Sequence, residues 1–153
     1  MKIIKGFLGL NFYEKRKILT LFFYLIQAEG MISFMPYSVS RPYIFKENSV
    51  YKSSQESSEK ILKLYLKLLK ILCNKLPWNI TCLRKAVALR NILAKEGVAA
   101  TLRIGMSKID NMGNTKLNAH AWLESCGYEI LKNGTYNLLE YPKSSLNQRL
   151  FNI

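Results

Sequence analysis

Two residues of this chain have the types and the order that nucleophilic chemistry needs: Cys82 and, downstream, the single histidine, His120. Asn79 or Thr81 can cap a helix expected over roughly residues 82–96, which puts Cys82 at its first position. A thiolate is best supported there, because the unpaired N–H groups and the dipole at a helix start favour an anion. The same N–H groups can hold the oxyanion formed when a thiolate attacks a carbonyl. His120 lies in an expected strand, between Ala119 and the Ala121-Trp122 pair. One cysteine followed by one histidine is the minimal set for a thiol with its general base. The plainer reading of each, a small buried thiol and a structural strand histidine, stays open on spacing alone.

A third member follows from strand geometry. If Cys126-Gly127 is a two-residue turn, Ser125 pairs with Tyr128, and counting outward sets His120 opposite Asn133. Asn133 could then accept a hydrogen bond from the imidazole and fix its tautomer. A shift of one residue brings Lys132 opposite instead, which cannot serve. Glu124 and Glu129 are further candidates, and strand parity makes neither a better match. Trp122 is a candidate for lining the substrate site, with a core tryptophan as the alternative.

The elements that must hold these residues can be taken in chain order. Residues 1–10 are apolar and basic and have no assigned element. Asn11 can cap a helix over roughly 12–28 with Glu14 near its positive end, and Gly30 is expected to stop it. From Ile18 onward its apolar residues cover most of the circumference, so it should pack on several sides. Residues 37–51, with Pro36, Pro42 and several serines, read as a loop or an extended crossing. Ser53-Ser54-Gln55-Glu56 has capping-box spacing ahead of a helix over roughly 56–75. Lys60, Lys63, Lys67 and Lys70 form one stripe on that helix, read as its solvated edge, and Cys73 reads as a core residue. After the Cys82 helix, Gly97 suits a C-cap. Strands are expected over 98–104, 117–124 and 128–132, with 108–116 a loop, Asn133-Gly134 a turn and one more short strand within 136–141. Helices first and a small antiparallel sheet after make an α+β fold.

Composition bounds the rest. A chain of 153 residues, 49% hydrophobic, supports one domain with a real core. The formal charge of +13 is spread along the chain and suits an acidic partner or an anionic membrane surface. No stacking motif or recognised module accompanies it, so nucleic acid is not the expected partner. Three cysteines without a CxxC pair point to a reducing compartment, hence a cytoplasmic protein, and not to a disulfide framework. With one His and one Asp (Asp110), a structural zinc is not expected. The apolar run 18–26 lies too far from Met1 for a signal segment and is too short to span a bilayer comfortably.

Taken together, Cys82-Leu83 with Ala86, Ala88 and Leu89, then Gly97-Val98, Ala100, Leu102 and Ile104-Gly105, then Ala119-His120-Ala121-Trp122-Leu123-Glu124 and Gly127, resemble one family. It is the transglutaminase-like cysteine protease of lasso peptide biosynthesis, the B2 or leader-peptidase component. The resemblance covers about residues 77–135, and the leucine-rich helix upstream, ending near the MPYSVSRPY stretch, resembles the N-terminal part of these proteins. It implies N-terminal helices followed by a transglutaminase/papain-like core, with residues 1–52 packing on a core of 53–153. It implies Cys82 as nucleophile, His120 as base, no cofactor, and cleavage of the leader from a ribosomally made lasso precursor peptide. The implied partners are that precursor, a separate leader-recognition protein and a lasso cyclase. The chain departs from the family at one point: an Asp is expected after the returning strand, and here that region reads Lys132-Asn133. Two rival readings remain: an acyltransferase or amidase on the same core, and a basic scaffold that binds precursor and cyclase with its site decayed.

Overall fold

The computed structural model describes Gly9 and residues 11–46, 54–111, 114–132 and 137–138. Four helices precede four strands among these: α1 (Phe12–Phe34), α2 (Tyr37–Ile44), α3 (Gln55–Cys73), α4 (Cys82–Lys95), β1 (Thr101–Asn111), β2 (Asn114–Ser125), β3 (Tyr128–Ile130) and β4 (Asn137–Leu138). The strands form one antiparallel sheet in the order β3-β2-β1-β4. The fold is α+β, as the order of elements predicts.

The core lies where α1, α3 and α4 meet and where α4 crosses β2. Ile18, Leu21, Leu25 and Ala28 of α1, Leu62, Tyr65, Leu68 and Leu69 of α3, and residues 86–90, Ile92 and Leu93 of α4 are buried there. The lysine stripe of α3 is exposed, as expected of a solvated edge. Lys60 pairs with Glu56 and Lys63 with Glu59 one turn away, while Lys67 reaches Glu14 of α1.

α1 begins as the sequence predicts, with a full capping box between Asn11 and Glu14. Its end differs. Gly30 does not stop it, and the helix runs to Phe34, where Met35 turns extended ahead of Pro36. The residue before a proline is driven out of the helical region, a stronger stop than a helical glycine. Nor does α1 pack all round: Phe12, Leu19, Phe23, Ile26 and Phe34 are exposed, with no described element over that face. The helix is long and apolar enough to cross a membrane by length and composition.

Residues 37–44 form a helix and not the loop their prolines suggest. Pro36 supplies the N-terminal boundary, where a missing N–H costs nothing, and Pro42 is tolerated inside. The decisive partner is remote. Arg90 of α4, fully buried, donates from its guanidinium to the carbonyls of Ile44 and Tyr43 and to Asn91 Oδ1. Burial pulls the guanidinium below its usual range, with the Tyr43 side chain opposing, and the three acceptors satisfy the buried cation.

α3 starts one residue later than a Ser53 capping box requires. Ser54 is the N-cap, without a side-chain capping bond, and its hydroxyl meets Ser57 at 2.9 Å instead. The sheet is longer than expected on one side and shorter on the other. β1 starts at Thr101 and continues through Asn111, so most of the expected 108–116 loop belongs to a hairpin paired up to Asn111↔Asn114. β3 stops at Ile130.

Candidate active site

Thr81 is the N-cap of α4, so Cys82 is the first residue of the helix. Thr81 makes no side-chain capping bond. Helix geometry leaves the N–H groups of Cys82, Leu83 and Arg84 without acceptors one turn back, and the first bond back to Thr81 comes from Lys85, at 3.1 Å. The thiol is half-buried at the edge of the core. Arg84, two residues on, ties this end of α4 to the last turns of α1. It pairs with Glu29 at 3.0 Å and donates to Ser33 Oγ at 2.8 Å, while Ser33 donates to Glu29 at 2.9 Å. The start of α4 is thus held at its flank by one ion pair and two hydrogen bonds, with its backbone donors left out of that network.

The other end of α4 is closed. Gly97, at φ 76°, takes the left-handed conformation that a helix stop needs. Val98 N–H donates to Leu93 at 2.8 Å and Gly97 N–H to Ala94 at 3.1 Å, a Schellman pair. Glu96 accepts from Lys17 at 2.6 Å and from Tyr65 at 2.8 Å. A cleft of about 510 Å³ opens beside this end, between the first turn of α3 and the β2–β3 turn. Cys82, His120 and Trp122 are not among its walls.

His120 lies on β2, opposite Gly105 of β1, which brings no side chain against the imidazole. The strand alternates. Ala121 and Leu123 enter the core that α4 shares, so His120, Trp122 and Glu124 occupy the other face. Trp122 is fully buried and lies nearly parallel to the imidazole, at 16° with ring centroids 6.4 Å apart. The turn has the expected register: Ser125 pairs with Tyr128, and Cys126 and Gly127 are both left-handed, as a type I′ hairpin demands.

Beyond the turn, Ile130 pairs with Leu123 and the ladder ends, because Leu131 is left-handed at φ 67°. Its carbonyl thereby meets His120 Nε2 at 2.6 Å. Lys132 follows, bound to both oxygens of Glu129 at 2.7 and 2.8 Å, with its ammonium 5.1 Å from the Trp122 ring centre. His120, Trp122, Leu131 and Lys132 therefore form one cluster. Asn133, the third residue expected from strand counting, lies outside the described residues, as does the Asn133-Gly134 turn. The Leu131 carbonyl was not anticipated. A backbone acceptor has no side-chain signature, and a left-handed leucine between Ile130 and Lys132 leaves none either.

The remaining cysteines differ in setting. Cys73 ends α3, where burial pushes its thiol up despite the opposing charge of Lys85. Cys126 sits in the β2–β3 turn beside Ser125. Among the described residues no group of three His, Cys, Asp or Glu side chains could hold a metal ion.

No curated protein and no solved structure matches the chain at a significant level. A family model does match, over residues 43–145, a span that takes in α4 and the strand bearing His120, and the chain belongs to the transglutaminase-like superfamily.

Proposed function

We propose that the chain is a cysteine endopeptidase that removes the leader from a ribosomally made lasso precursor peptide. The observation that carries this reading is Cys82 at the first position of α4, a helix packed on the strand that bears His120, within the transglutaminase-like span. In this reading the Cys82 thiolate attacks the leader–core amide carbonyl, forming a C–S bond. The N–H groups at the start of α4 hold the resulting oxyanion. Collapse breaks the C–N bond, and the imidazolium of His120 gives its proton to the leaving amine of the core peptide. Water, deprotonated by the same imidazole, then cleaves the thioester and frees the leader with a carboxylate. For this the Cys82 thiol, at the edge of the core that α4 shares, has to reach the imidazole, which lies on the other face of β2. Trp122 backs the imidazole and keeps its ring in plane.

The test mixes the protein with a lasso precursor and a leader-binding protein, and compares wild type with Cys82→Ala and His120→Ala. Wild type should release a leader with a free C-terminal carboxylate, with a loss of at least about a thousandfold in either variant. Equal cleavage by Cys82→Ala would sink the reading. A leader carrying a new amide in place of the carboxylate would identify an acyltransferase instead.

A further inference from the structure

We infer that the backbone carbonyl of Leu131 is the group that orients His120, in the position where a side-chain carboxylate or carboxamide is ordinarily sought. This rests on the proposed role of His120 as base. A carbonyl oxygen can only accept, so at 2.6 Å from Nε2 it requires the proton on that nitrogen. In the neutral ring the lone pair then lies on Nδ1. The choice of tautomer, which a carboxylate makes in other thiol and serine enzymes, is made here by a peptide group.

Three features fix that peptide group. Ile130, buried and paired with Leu123, anchors it on one side. Leu131 itself is left-handed at φ 67°, which ends the ladder and turns its carbonyl toward β2. Lys132 is clamped between the Glu129 carboxylate and the face of Trp122, the same ring that stacks on His120. A non-glycine residue held left-handed costs free energy and persists only where its surroundings impose it. Here Lys132, the residue after the acceptor, and the imidazole that the acceptor holds share one wall, Trp122. A neutral acceptor also accounts chemically for a chain with no Asp after Asp110.

The test uses the one histidine of the chain, which gives a single imidazole signal in a ¹⁵N-histidine NMR spectrum with no substrate present. Wild type should show the Nε2–H tautomer with a slowly exchanging ring proton. Leu131→Gly, at ease with a positive φ, should keep that tautomer. Leu131→Ile, which disfavours the left-handed region, should release the proton to exchange about tenfold faster, the weight of one lost hydrogen bond. Where precursor cleavage is measured alongside, kcat should fall by a similar factor in Leu131→Ile with KM held. A wild-type ring protonated on Nδ1 overturns the assignment. So does a folded Leu131→Ile chain whose ring proton is as protected as in wild type. If Leu131→Ile does not fold, Lys132→Ala takes its place: faster exchange supports the clamp and unchanged exchange overturns it. Because the tautomer is read without substrate, an inactive wild type with an intact Nε2–H signal would remove the peptidase reading and leave this one standing.

Discussion

The two ends of α4 are built on opposite terms. At the C-terminal end the last carbonyls are taken by the Gly97-Val98 turn, and Glu96 is fastened to Lys17 of α1 and Tyr65 of α3. At the N-terminal end Thr81 offers its N–H groups no side-chain cap, and the stabilising contacts are made off-axis by Arg84 with Glu29 and Ser33. A helix start without a cap forgoes about 1 kcal/mol that Ser, Asp or Asn in the N-cap bond would contribute. The same donors are what an oxyanion or a thiolate at Cys82 would use. Stability is concentrated at the closed end, while the end that would react under the proposed reading keeps its hydrogen-bonding capacity.

The sharpest way to break this contrast is to cap the open end. Thr81→Asp supplies an N-cap carboxylate, and thermal or urea unfolding should show a gain of about 0.5–1 kcal/mol. The same carboxylate occupies the donors and repels an anion at Cys82. Alkylation of Cys82 by iodoacetamide, read peptide by peptide, should slow about tenfold or more, and precursor cleavage should fall with it. A stabilised variant with unchanged Cys82 labelling would show that these donors do not serve the thiol.

A smaller effect is expected from loosening the closed end. Gly97→Ala forces an L side chain into φ 76°, at a cost of roughly 1–2 kcal/mol. Unfolding should shift accordingly while the Cys82 labelling rate of the folded protein stays at the wild-type value. Labelling that fell with stability would mean the two ends are coupled through α4 and the contrast is false.

How far all this was legible in the sequence follows the range of the interactions. Local signals were sound: the Asn11 cap, the start of α4 at Cys82, Gly97 as its stop, and the Cys126-Gly127 turn that sets the β2–β3 register. Each depends on residues within a turn of one another. The α2 helix was not legible, because its carbonyls are satisfied by Arg90, far along the chain, while its own prolines argue for a loop. The end of α1 was misread for a related reason: Gly30 is a weak local stop and Pro36 a strong one. In the candidate site, Cys82 and His120 stand out by side-chain chemistry. The acceptor that meets the imidazole does not, since it is a peptide carbonyl turned inward by a left-handed Leu131, and residue types do not record that.

The mildest test concerns pH and again separates the two ends. Burial raises the Glu96 carboxyl, but hydrogen bonds from Lys17 and Tyr65, together with the charge of Lys17, outweigh it and leave the group below the ordinary glutamate range. Tyr65 moves the other way, its phenol pushed up by burial and by the carboxylate it serves. A carboxylate depressed in the folded state adds stability that is fully present above its unfolded pKa, about 4.3. That stability is lost as the pH falls through the lower folded value. The site is partly exposed, so solvent screening holds the contribution to about 1 kcal/mol or less. Wild type should therefore exceed Glu96→Gln in urea midpoint at pH 7, and the gap should close as the pH is lowered below about 4. A gap that persists unchanged at pH 3 would mean that Glu96 acts through packing and not through its charge, and the closed end of α4 would then owe its stability to the Gly97-Val98 turn alone.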